Sequence, residues 1–155
     1  MKKLFLLITL VIVSNIIIGQ RKHWITSYGQ KTKKSLASGY YTIKKGKTNN
    51  LYLKETYLFD YESPYEHTHY QTKKCMVKEG SYIAFNKNGS IKEQGAYHNN
   101  KKTGEWVYFN TQGEKQSIVN YTDDIKHGIY FDYKDNKITS GTYKNCLKDQ
   151  LWSTA

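Results

Sequence analysis

Gly104-Glu105-Trp106-Val107-Tyr108-Phe109-Asn110-Thr111-Gln112-Gly113 is the stretch on which the fold turns. Its first six residues are an aromatic and β-branched run, the composition of a strand. Asn110–Gly113 supplies a turn, with Gly113 free to take positive φ. A second strand runs to about Tyr121, and Asp123-Asp124-Ile125-Lys126-His127-Gly128 turns the chain again. Two strands and two turns make an antiparallel unit. Alternation puts Trp106 and Tyr108 on one face, Val107 and Phe109 on the other. Both faces therefore carry apolar area. The sheet is either covered on one side or is a single twisted layer whose aromatics stack along columns.

On either side of this stretch the unit recurs. Gly80-Ser81-Tyr82, Gly104-Glu105-Trp106 and Gly128-Ile129-Tyr130 are each 24 residues apart, and Gln150-Leu151-Trp152 follows at 22. Phe85, Phe109 and Tyr133 keep step, as do Gly89 and Gly113, with Asn136 one position early. Tyr97, Tyr121 and Tyr143 form a third column. Gly precedes two of them, in Gly95-Ala96-Tyr97 and Gly141-Thr142-Tyr143, and Val119 replaces it in the middle copy. The last unit stops half a repeat short, as end units of repeat proteins do, and its missing half leaves an edge for a partner strand.

The unit resembles the MORN (membrane occupation and recognition nexus) repeat in its longer bacterial form. The match is best at Gly95, Tyr97, Asn99, Gly104, Trp106, Phe109 and Gly113, and spans about Gly80–Trp152. Val119 and Gln150 depart from the glycine positions. The resemblance implies an all-β, antiparallel meander of β-hairpin repeats forming an elongated twisted sheet. It also implies action by binding, since relatives of this kind include antitoxins and immunity partners of secreted toxins. It brings no catalytic residues.

The chain ahead of the repeats divides in three. Residues 1–19 read as a signal peptide: Lys2 and Lys3, an apolar run from Leu4 to Ile18, and a cut after Gly19. Ile17 at position −3 is larger than usual, and an uncleaved anchor is the alternative. The apolar run of 15 residues is shorter than the roughly 20 needed to span a bilayer. Export to the periplasm or beyond is the expectation. Residues 20–38 are polar and Lys-rich and read as an exposed lead-in. Residues 39–79 read as β-rich, either degenerate repeats or a cap, with Ser63-Pro64 breaking the strand pattern.

The formal net charge is +11, from 24 Lys and Arg against 13 Asp and Glu. A basic, Tyr-rich chain invites a nucleic-acid reading. Export argues against it, and so does Arg21 being the only arginine, because bidentate reading favours the Arg fork. The partner expected is a protein, with a glycan or an anionic membrane surface as the alternative, and no nucleic acid.

The candidate binding residues are Tyr82, Trp106, Tyr130 and Trp152, whose flat rings could bury sugar or side-chain surface. Structural stacking is the competing role for all four. His67-Thr68-His69 sets two imidazoles on one strand face, but the sequence names no third metal ligand. His127 reads as a turn residue. No nucleophile elbow, Walker loop or metalloprotease spacing is present, so no catalytic residue, metal or cofactor is assigned. Cys75 and Cys146 fall at nearly equivalent places three units apart. Six intervening strands separate them by roughly 29 Å, where a disulfide needs about 7 Å, so both are expected as free thiols.

Overall fold

The computed structural model describes residues 20–135 and 137–154. The signal-peptide reading of 1–19 and the place of Asn136 lie outside them. Alternating polar and apolar residues, cut every eight or so positions by Gly, Asn or Asp, permit only short antiparallel strands. The chain is accordingly all-β. Its strands are β1 (His23–Ile25), β2 (Gly39–Lys45), β3 (Tyr52–Leu58), β4 (Glu66–Tyr70), β5 (Lys78–Phe85), β6 (Ile91–His98), β7 (Lys101–Phe109), β8 (Lys115–Thr122), β9 (Ile125–Lys134), β10 (Lys137–Lys144) and β11 (Leu147–Thr154). Each pairs with the next, and the order β1 to β11 never closes on itself. The result is one open antiparallel sheet in a single layer, so the aromatics stack along the sheet itself.

Two turn types alternate through the repeats. Asn99-Asn100, Asp123-Asp124 and Asn145-Cys146 are two-residue hairpin loops in which both residues have positive φ. That is the backbone of a type I′ turn, which matches strand twist and favours Asn and Asp. The five-residue loops Asn86–Ser90 and Asn110–Glu114 place Gly89 and Gly113 at φ of 81° and 86°. Between β9 and β10 the loop shrinks, pairing Lys134 directly with Lys137. The 22-residue spacing of the last copy arises there.

The first half continues the same meander in register. β2 and β3 pair along their whole lengths, and Ser63-Pro64 lies in the β3–β4 link. Within residues 20–38, His23–Ile25 forms β1 against β2, and Ile25 is buried. Lys34–Leu36 makes one 3-10 turn that leads into β2. Three apolar or aromatic residues between lysines are too few for a periodic signal, which is why the lead-in reading passes over this strand. Cys75 and Cys146 are both free thiols, in the β4–β5 and β10–β11 links.

Candidate binding surfaces

Each repeat opens on Lys-x-Gly-x-aromatic: Lys78 to Tyr82, Lys102 to Trp106 and Lys126 to Tyr130. Gly80, Gly104 and Gly128 have φ of 88°, 65° and 93°. Each sits where the register with the preceding strand slips, a β-bulge that accepts Gly in the left-handed region. The bulge returns Lys and aromatic to the same face. There the ammonium lies over a ring: Lys78 over Tyr97 (4.5 Å), Lys102 over Trp106 (3.8 Å), Lys126 over Tyr143 (5.2 Å) and Lys148 over Trp152 (4.0 Å). Cation–π attraction adds about 0.5–2 kcal/mol to such contacts. Sequence reading missed this lysine column, although it keeps the same 24, 24 and 22 spacing.

The four candidate aromatics share that face and fall into two pairs. Tyr82 and Trp106 lie 5.5 Å apart, Tyr130 and Trp152 5.1 Å. Val119 stands between the pairs, opposite both Trp106 and Tyr130. Trp106 is fully buried and Tyr82 nearly so, while Tyr130 and Trp152 are half-buried. The Trp106 Nε1–H donates to the Ala96 carbonyl at 3.2 Å, and Tyr97, Tyr108 and Tyr121 ring the indole. Lys102 Nζ donates to the Tyr108 hydroxyl at 3.0 Å and lies 3.5 Å from Glu93. Burial, ahead of the carboxylate charge of Glu93, pushes the Tyr97 hydroxyl up to about 12. Burial likewise holds the hydroxyls of Tyr82 and Tyr121 well above the usual tyrosine range. Trp106 is thus a core residue, and a sugar reaching it must first displace Lys102 and the tyrosine ring around it.

The opposite face differs. In β9–β11 it carries Ile125, Ile129, Ile138 and Leu147, exposed to 43, 54, 43 and 74%. Registers put all four on the side away from Tyr130: Ile125, opposite Thr122, and Leu147, opposite Lys144, stand beside hairpin turns at one end of the strands, and Ile138, opposite Tyr133, at the other end. Ile118 and Phe131, opposite each other and half-buried, lie on the same face. β11 beside it is a sheet edge.

His67 and His69 do share a face. His67 Nε2 is 3.8 Å from Glu55, and burial lowers its imidazole from the usual range. His69 Nδ1 lies 3.0 Å from the Ser81 carbonyl. Among the described residues no three metal-ligating side chains cluster. His127 is exposed on β9, next to the bulge glycine Gly128. No protein-family model matches the chain, and no curated protein or solved structure matches it.

Proposed function

We propose that this chain is an exported, non-enzymatic β-repeat protein of MORN type that binds a protein partner in the cell envelope. The observation that carries the reading is that Ile125, Ile129, Ile138 and Leu147 are all exposed on one face of β9–β11, beside an open edge. A single-layer sheet has no second layer to cover them. Large aliphatic side chains exposed on one sheet face mark protein interaction sites, and a free edge strand offers main-chain pairing as well. An immunity or antitoxin-like role fits within this reading if the toxin acts in the envelope, where an exported protein can meet it.

The alternative is a glycan or anionic lipid surface recognised through the aromatic columns and lysines. The lysine column favours it. The burial of Trp106 weighs against it, because a stacking platform needs open rings. Crosslinking the protein in its own cell envelope, followed by recovery and mass spectrometry, separates the two. The proposal expects one stoichiometric protein partner. Recovery of lipid or glycan alone overturns it.

A further inference from the structure

Away from both surfaces, a cleft of about 460 Å³ opens at the β1–β5 end of the sheet. It is lined by His23 of β1, Lys31 of the following loop, Tyr41 of β2, Lys54 of β3, and Lys73 and Lys74 of the β4–β5 link. Separate parts of the chain thus bring four lysines to the walls of one concavity. No carboxylate lines it, and among the described residues none of these four lysines forms an ion pair, whereas Lys44, Lys87, Lys101 and Lys102 each do.

The walls are held by local structure. Gly29 N–H donates to the Thr26 carbonyl at 2.9 Å and Thr26 N–H to the Gln30 carbonyl at 3.0 Å, fixing the loop before Lys31. Gln71 N–H donates to the Val77 carbonyl and Cys75 N–H to the Thr72 carbonyl, both at 3.0 Å, fixing the loop that carries Lys73 and Lys74. His23 stacks flat on Tyr41 at 4.7 Å, and Lys54 Nζ lies 4.6 Å over the same ring. The unneutralised charge is felt locally: after burial, Arg21, Lys31 and Lys73 push the His23 imidazole below its ordinary value.

Four lysines around one cleft with no carboxylate among its lining residues make the local field positive, and an anion in the cleft offsets it. We propose that the cleft formed by His23, Lys31, Lys54, Lys73 and Lys74 binds a multiply charged phosphate group. Lysine binds phosphate as a point charge that can approach from several sides, and a multiply charged phosphate offsets more of this positive field than a single carboxylate does. The phosphate is carried either by a soluble phosphate compound or by a lipid headgroup. The site is independent of the aliphatic face, so either proposal stands if the other fails.

Titration calorimetry with inorganic pyrophosphate at low salt, and flotation with phosphatidylglycerol–phosphatidylcholine vesicles, test it and separate the sources. Saturable pyrophosphate binding at one site points to a soluble phosphate. Vesicle binding without it points to a headgroup. In either arm Lys54→Gln/Lys73→Gln is expected to weaken binding roughly 30-fold, about fivefold per lysine. Lys115→Gln/Lys137→Gln removes the same charge elsewhere and is expected to change binding less than about twofold. Lys73→Gln alone, in an exposed loop, gives the same direction without touching a strand. Equal losses in the pocket and control pairs, or no saturable binding in either arm, overturn the proposal.

Discussion

Gly95 lies directly beneath the indole of Trp106. A Cβ at Gly95 would stand 2.7 Å from the indole Cγ and closer still to Cδ2 and Cε2. Gly141 repeats the arrangement under Trp152, at 2.6 to 2.7 Å. Where the ring is a tyrosine, the strand before it carries a β-branched residue: Thr68 opposite Tyr82, and Val119 opposite Tyr130. The replacement of glycine by Val119 therefore follows the replacement of Trp by Tyr130.

Gly95→Ala is expected to destabilise the protein. Glycine in a strand ordinarily loses about 0.5–1 kcal/mol to alanine, but overpacking against a buried ring costs about 1–3 kcal/mol, and the second effect wins. Trp106→Tyr in the same chain should relieve part of that cost. Urea unfolding of both single variants and the double variant should give a coupling of about 1 kcal/mol. Additive losses would show that the ring and the glycine are not matched.

The two kinds of repeat glycine should respond unequally to asparagine. Gly104 has φ of 65°, and a Cβ added there would meet nothing within 4 Å, so Gly104→Asn should cost little. Gly95→Asn should cost more than about 2 kcal/mol, because the obstacle is the Trp106 ring. Thermal unfolding of the pair checks the contrast.

Cys146 occupies a position built for Asn or Asp. In the preceding turns, Asn100 N–H donates to the Lys78 carbonyl while Asn100 Oδ1 accepts the Lys78 N–H at 2.7 Å. Asp124 and Lys102 do the same. Cys146 keeps only the first bond, to the Lys126 carbonyl at 2.9 Å. Cys146→Asn should restore the second and raise stability by about 0.5–1.5 kcal/mol. A lower melting temperature in that variant would contradict the clamp.

Alkali should unfold the protein earlier than its composition alone suggests. Tyr82, Tyr97 and Tyr121 are held above the unfolded tyrosine value, so the folded state keeps their protons longer. That stabilisation is fully present below about pH 10 and is lost as pH rises through the folded values, about 12 for Tyr97. Melting temperatures should fall above about pH 10, and Tyr97→Phe should soften the fall. An unchanged melting temperature through that range would remove burial as the cause.

The architecture was legible because glycine, ring and turn columns repeat at fixed spacing, and strand alternation assigned the faces of Trp106 and Val107 correctly. The site was less legible. For Trp106 and Tyr82 the sequence leaves both structural stacking and a binding platform open, because it gives the face of a ring but not what lies over it, here Lys102 and the neighbouring tyrosines. Lysine reads as solvent-facing by default, so a column of lysines folded onto rings passes unnoticed. β1 was hidden for another reason: its burial comes from pairing with β2 and carries no pattern of its own. The phosphate cleft is assembled from residues 23 to 74 and has no motif to find.

Whether the aliphatic face of β9–β11 docks a protein is best decided by site-specific photocrosslinking. A photoreactive residue at Ile129 or Ile138 looks out from that face, and one at Thr139 from the face bearing the aromatics, on the same strand as Ile138. Positions 129 and 138 should give one protein adduct of the same partner, and position 139 none. An adduct from 139 alone, or no protein adduct from any of the three in the intact envelope, would contradict the docking face.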